Sequence, residues 1–255
     1  MALIVLAVWD TEENGRTEYT KRTLQSLLST VNPLKHRIHV VDNASCAATK
    51  RVLRDFEPDI TIHTNGQNLG TAKAVNKAWQ LRKPNEHCVK MDNDVVIYKK
   101  DWCDDLERAI ALDPSIGIVG LKRKDCWEEP NRTDYYKSSL EMLPHVAGEP
   151  WVVVERVNHV MGTCQMFNSA LLDKIGYLYQ PRLYGFDDSL AAIRCQVAGF
   201  YSCFLPHIEI DHIDKGETEY QTWKEKHSAE VTQKVIKMTH EYYHGTRPIY
   251  YNPFQ

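Results

Sequence analysis

The stretch Lys90-Met91-Asp92-Asn93-Asp94-Val95-Val96-Ile97 decides how this chain is read. Two carboxylates flank one residue, after the short apolar run of Cys88, Val89 and Met91 and before Val95 to Ile97. If Cys88 to Met91 is a buried strand, Asp92 and Asp94 stand at or just past its C-terminal end. That end is where open α/β sheets bind ligands. In extended backbone, residues i and i+2 face the same side, so both carboxylates can meet one bound group. A hard divalent cation with a diphosphate suits them, because such ions take carboxylate and phosphate oxygens together. A strand-end turn with solvated acids is the plainer alternative, and this stretch alone leaves it open.

Working back from the two aspartates, the chain alternates between strand and helix signals. Ala2 to Val8 is a continuous apolar run, as expected of a strand covered on both faces. After the polar loop Trp9 to Arg16, Thr17 to Val31 carries Leu24, Leu27, Leu28 and Val31 at helical spacing, and Asn32-Pro33 stops it. Ile38 to Val41 is a second strand, and Ala47 to Phe56 a second helix. Ile60 to His63 is a short strand, and the turn-rich loop Asn65 to Gly70 opens a helix over Thr71 to Leu81. This alternation predicts a mostly parallel sheet with helices on both faces.

Beyond the aspartates, Trp102 to Leu112 reads as a helix ended by Pro114, and Ile116 to Leu121 as a strand. Lys122 to Pro150 shows no clear period and reads as a long loop or a small excursion, a loop of that length being usually tied to function or disorder. Trp151 to Val157 and Val160 to Phe167 suggest paired strands. Ser169 to Ile175 is a short helix with Ser169 as its cap. Tyr184-Gly185-Phe186-Asp187-Asp188 leads into a helix over Ser189 to Ala198, ended by Gly199. Phe200 to Pro206 returns as a strand, followed by Ile208 to Ile213. Glu217 to Tyr243 has helical composition, and Tyr242 to Gln255 forms an aromatic tail.

Composition bounds the function. The 255 residues suffice for a substantial core, and 43% hydrophobic with 25% charged residues fits a water-soluble globular protein. A net charge of −3 argues against strong attraction of the whole protein to nucleic acid, although Lys122-Arg123-Lys124 could form a local basic patch. No apolar run approaches the roughly 20 residues that span a bilayer. Met1 to Val8 lacks a basic start and a small-residue cleavage site, so it reads as a strand and not a signal peptide. The seven cysteines are odd in number and lack C-x-x-C spacing, which predicts reduced thiols and a cytoplasmic protein.

Several polar positions carry both a chemical and a plain structural reading. Asp42 ends the second strand, where it could accept from a nucleobase N–H or simply turn the chain. Asn68 and Gly70 stand at a helix start, where backbone N–H groups favour an anion. Asp187-Asp188 could stabilise a helix dipole or supply a general base. His207 and His212 bracket a short run, and neutral imidazole suits Mn²⁺-like ions. Trp151, Trp223, Tyr242, Tyr243, Tyr250 and Tyr251 could stack on sugars or bases, or pack.

The order of these pieces resembles the inverting family 2 glycosyltransferases with the GT-A fold. The matching pieces are the apolar first strand, Val40-Val41-Asp42-Asn43-Ala44-Ser45, and Asn68-Leu69-Gly70 with Ala74 and Asn76. Met91-Asp92-Asn93-Asp94, Gly162 to Phe167 with Gly176, and Tyr184 to Asp188 with Arg194 and Gly199 complete the set. The resemblance runs from about Ala2 to about Lys215. It implies a Rossmann-like mixed sheet flanked by helices over residues 1–215, with a C-terminal helical extension over 216–255. Within it, 1–100 would be the nucleotide-binding half and 101–215 the acceptor half.

The resemblance also implies roles. Val8, Asp10, Asp42, Asn68, Gly70, Asp92, Asn93, Gly162 and Asp187 would line the nucleotide-sugar site. Asp94 and His212, with Asp92, would hold Mn²⁺ or Mg²⁺, the Asp-x-Asp acids being the family's metal motif. Asp188 would be the catalytic base. The family's acidic pair begins with Glu where this chain has Asp187, and the first loop, Trp9-Asp10-Thr11, lacks the usual proline-tyrosine. The implied activity is sugar transfer from a nucleotide sugar, a UDP-sugar first, to an acceptor hydroxyl. A sugar-nucleotide nucleotidyltransferase and a non-catalytic binding module are the alternatives. The acceptor stays open, a saccharide ahead of a lipid-linked sugar, a protein or a hydroxymethylated DNA base. The C-terminal helix could pair subunits or touch a membrane surface.

Overall fold

A computed structural model describes residues 1–125, 138–214 and 219–255. Cys126, the expected end at Lys215 and the expected helix start at Glu217 lie outside them. One ten-stranded mixed sheet runs through the molecule. Its strands are β1 (Ala2–Val8), β2 (Arg37–Asp42), β3 (Thr61–Thr64), β4 (His87–Met91), β5 (Val95–Ile97), β6 (Ile116–Arg123), β7 (Ser139–Met142), β8 (Val153–Val157), β9 (Cys164–Phe167) and β10 (Tyr201–His212). Spatially the order is β3-β2-β1-β4-β9-β6-β10-β8-β7, with β5 paired to β10. The first four strands in space are mutually parallel, and β9 runs antiparallel between β4 and β6.

Among the described residues the helices are α1 (Thr17–Thr30), α2 (Ala47–Asp55), α3 (Thr71–Trp79), α4 (Trp102–Leu112), α5 (Ser169–Ile175), α6 (Asp187–Val197), α7 (Glu219–Ala229) and α8 (Thr232–Tyr243). Alternation along β1 explains the layering. Ile4, Leu6 and Val8 meet Leu24 and Leu27 of α1, Leu53 of α2 and Leu106 of α4 on one face. Leu3 and Val5 meet Val75 of α3, Leu171 of α5 and Ala191 of α6 on the other. Burial on both faces is why β1 is apolar throughout.

Several expectations are corrected. The strands at 151–157 and 160–167 do not pair with each other: β8 lies between β7 and β10, and β9 between β4 and β6. The 122–150 stretch contains β7, a strand of four mostly exposed residues, too short to show a period. Asn168, not Ser169, caps α5, its side chain accepting from the N–H of Ala170. The C-terminal helix is two helices, α7 and α8. Helix α6 begins at Asp187 itself, so both acids sit in its first turn. Strand β10 passes through Pro206 unbroken, because a register shift against β6 between Leu205 and Glu209 absorbs the missing donor. Lys122, Arg123 and Lys124 are each ion-paired, with Glu155, Asp125 and Asp211, and do not form a free basic patch.

Candidate active site

At the C-terminal rim of the parallel strands lies a cleft of about 1110 Å³, walled by residues from many separate segments. Strand β4 delivers Asp92 to it. The N–H of Asp92 donates to Thr163 O at 3.0 Å, which closes the β4–β9 ladder beneath the acids. Two residues on, the pairing of β5 with β10 sets Val95 opposite His212, and Ile213 N–H donates to Asp94 O at 2.9 Å. This register carries His212 Nε2 to 3.3 Å from Asp94 Oδ2, across more than a hundred residues of chain.

Asp94 is buried, and the same Oδ2 accepts from Arg16 Nη2 at 2.6 Å. Arg16, just before α1, also pairs with the buried Asp214. Burial opposes ionisation of Asp94, but His212 and Arg16 outweigh it and hold the carboxyl well below the usual range. Its Oδ1 is buried with no hydrogen-bond partner among the described residues.

The second acidic pair approaches from the other side. Gly185 and Phe186 both adopt left-handed backbone, at φ 85° and 65°, and so turn Asp187 and Asp188 into the cleft at the start of α6. Such conformations cost free energy in a bulky residue and persist where the surroundings impose them. Asp188 Oδ2 accepts from Gly162 N–H at 3.0 Å and lies 3.3 Å from His159 Nε2, while Oδ1 accepts from Ser189 N–H at 2.7 Å. Burial pushes its pKa up, yet His159 and Lys90 prevail and keep it well below the ordinary carboxylate value. Asp187 goes the other way: burial, with Asp188 and Asp92 nearby, raises it against the pull of Lys90.

Lys90 ties the two pairs together. Its buried ammonium lies 3.2 Å from both Asp92 and Asp187 and donates to Gly162 O at 3.0 Å. A Cβ at position 162 would stand 2.5 Å from that ammonium, so a larger residue there would push the Lys90 side chain out of its place between the acids.

Of the other expected residues, Asn68 reaches the cleft wall, its Oδ1 accepting from Gly70 N–H and Asn43 Nδ2. Asn93 borders the cleft, but its amide is spent on Asp10 and Thr20. Val8, Asp10 and Asp42 lie behind the wall. Asp10 accepts from Thr20, Thr49 and Asn93, and burial raises its pKa. Asp42 Oδ1 accepts from Ser45 N–H at 2.7 Å. Among the aromatics, Trp223 lines the cleft against Trp9, with ring centres 4.9 Å apart, whereas Trp151 stacks on His145 elsewhere.

Arg16, Lys90, His159 and Asp214 escaped the sequence reading. Lys90 alone left a signal, since i and i+2 alternation puts it on the side of Asp92. Three metal-type side chains come within 4.8 Å of one another, among the described residues, at His36, Asp104 and Glu107. That group lies away from the cleft, and Lys35 already pairs with both its acids.

The family model described as Glycosyl transferase family 2 matches residues 14–176, well over half of the chain. No curated protein matches the sequence. Among solved structures, the chain is similar to the mannosyltransferase PcManGT from Pyrobaculum calidifontis, in complex with GDP-Man and Mn²⁺, at TM-score 0.63 and 18% identity. It covers 87% of this chain and 59% of that one. TarS 1–349 of S. aureus, in complex with UDP-GlcNAc, aligns at TM-score 0.59 and 17% identity over 84% of this chain and 61% of that one. GalNAc-T7 with UDP, GalNAc and Mn²⁺ aligns at TM-score 0.58 and 14% identity over 83% and 43%. These likenesses show the GT-A fold, and the chain spans about three-fifths or less of each of these structures. No described helix is long and apolar enough to cross a membrane.

Proposed function

The chain belongs to glycosyl transferase family 2, and on that premise we propose that it moves a sugar from a nucleotide sugar to an acceptor hydroxyl with inversion, Asp188 taking the proton. The observation that carries this reading is the meeting of Asp92, Asp94 and His212 with Asp187 and Asp188 around one cleft. The donor is a UDP-sugar in this reading, as UDP is the nucleotide named for two of the three structural neighbours above. Residues 1–100 supply the nucleotide side and 101–215 the acceptor side, with 216–255 appended.

Asp188 acts as base because it is ionised at neutral pH and fixed by Gly162 and Ser189 N–H groups. It accepts the hydroxyl proton as the acceptor oxygen bonds the anomeric carbon from the face opposite the diphosphate. The bond from that carbon to the phosphate oxygen breaks, and its electron pair leaves with the nucleoside diphosphate. Lys90 holds Asp92, Asp187 and Gly162 in register.

The donor set fits a divalent ion. A buried carboxylate with one oxygen lacking a partner among the described residues stands beside an imidazole nitrogen, a pairing that suits Mn²⁺ or Mg²⁺. Asp94 and His212 would hold it, while the Asp92 carboxylate, paired with Lys90, does not come within 4.8 Å of both of them; bound there, the ion would neutralise charge on the departing diphosphate. The ion pairs on Lys122, Arg123 and Lys124 weigh against a DNA acceptor and favour a saccharide.

A donor-hydrolysis screen across nucleotide sugars, with Mn²⁺ and with EDTA, tests the reading. Slow release of UDP from one UDP-sugar, abolished by EDTA, is expected. Release of pyrophosphate from a nucleoside triphosphate instead would identify a nucleotidyltransferase, and nucleotide binding without hydrolysis a binding module.

A further inference from the structure

We propose that Arg16 is the resident counter-cation of Asp94, and that a divalent ion shared between Asp94 Oδ2 and His212 binds only by displacing the guanidinium. The proposal rests on the metal-dependent reading above. Arg16 is 3% exposed. Its Nη2 lies 2.6 Å from Asp94 Oδ2 and 3.3 Å from Asn93 Oδ1, and Nη1 pairs with Asp214 Oδ2. The Asp94 oxygen that faces His212 is therefore already in contact with a fixed positive charge.

An ion held by Asp94 and His212 would meet that guanidinium in a poorly solvated place, where like charges in contact repel strongly. Arginine does not relieve the conflict by losing its proton, so it must move. The oxygens of a nucleoside diphosphate offer its planar fork an equivalent partner. Nucleotide and ion therefore bind as a pair: the diphosphate draws Arg16 away, and Asp94 is released to the ion. Without nucleotide, Asp214 keeps Arg16 in place and the ion binds weakly.

The test is Mn²⁺ binding to the full chain without nucleotide, read from the electron paramagnetic resonance signal of free Mn²⁺. Wild type, Arg16→Met and Lys224→Met are compared. The first variant keeps an unbranched side chain and removes the charge on Asp94. The second removes an equal charge from the Asp214 side of the same cluster, where the Lys224 ammonium lies 3.4 Å from the carboxylate. Arg16→Met is expected to bind Mn²⁺ about tenfold tighter than wild type, and Lys224→Met within about threefold of it, since contact charges dominate at low effective dielectric.

Equal Mn²⁺ affinity in wild type and Arg16→Met overturns the proposal and leaves the metal-dependent reading standing. An equal gain in both variants overturns it as well, because general charge and not the contact would then set the affinity. Failure of all three proteins to bind Mn²⁺, with or without UDP, overturns the metal reading and the proposal together. Should Arg16→Met not fold, wild type labelled with ¹⁵N-arginine decides. Its doubly paired Arg16 guanidinium signals are expected to shift on saturation with UDP and Mg²⁺, and unchanged signals at saturation overturn the proposal.

Discussion

His159 Nε2 lies 3.3 Å from Asp188 Oδ2, on the same oxygen that accepts the Gly162 N–H. An inverting base works only while ionised, so activity falls as pH drops through its pKa. Burial alone would push that pKa up, and the His159 contact is the largest influence holding it down. His159→Gln should therefore raise the Asp188 pKa, and the acid limb of the kcat/KM profile should move to higher pH. Rates on the alkaline side of that limb should change far less. A profile superimposable on wild type would show that His159 does not set the charge of Asp188.

Asp188→Asn keeps the size of the side chain and removes its basicity. Transfer should fall by about 10² to 10⁴, the usual worth of a positioned base. The Asp92, Asp94 and His212 side of the cleft is untouched, so calorimetry should still detect UDP binding with Mn²⁺. Wild-type turnover by this variant would take the proton-abstracting role away from Asp188.

The sequence made the first hundred residues of the fold legible because β1 and β4 are buried on both faces and so are written as apolar runs. The two acidic pairs were legible because each stands where an element ends or begins. Their partners were not. Arg16 meets Asp94 and Asp214 across 78 and 198 residues, and Lys90 meets Gly162 across 72. Such contacts depend on sheet order, and no local period encodes them. His159 is one polar residue in a short link between apolar runs, which describes many surface turns. The exposed strand β7, Ser139-Leu140-Glu141-Met142, alternates over only four residues, too short a pattern to read, and its Leu140 and Met142 are both open to solvent.

Asp94→Asn should make the buried charge cluster measurable through stability. In the folded chain Asp94 is held below its ordinary value despite burial, by His212 and Arg16. A depressed carboxylate contributes stability that is present above its unfolded pKa and is lost as pH falls toward the folded one. At pH 7 the variant should be less stable by about 3 to 5 kcal/mol, since Arg16 loses the charge of a buried partner. From about pH 5 downward the gap to wild type should begin to narrow, as the unfolded wild-type carboxyl takes up a proton that the folded one does not. Urea midpoints at pH 7 and at pH 3 or below check this, and a gap independent of pH across that range would place the stabilisation elsewhere.

Gly70 joins the two halves of the cleft through its backbone. At φ 82° it opens α3, and a Cβ there would stand 2.8 Å from Leu183 O and 2.9 Å from Leu183 Cα. Both are backbone atoms, so no side chain can swing aside. Gly70→Ala must strain position 70 or push away the segment that runs through Tyr184 and Gly185 to Asp187. The expected cost is about 1 to 3 kcal/mol, the range for a residue forced into a sparsely populated conformation. Because the displaced segment walls the cleft, donor KM should rise along with the fall in Tm. Gly66→Ala, in the same loop but with open space at its Cβ, should change neither. Equal Tm and KM in the two variants would mean that the close approach of Leu183 to Gly70 does not shape the site.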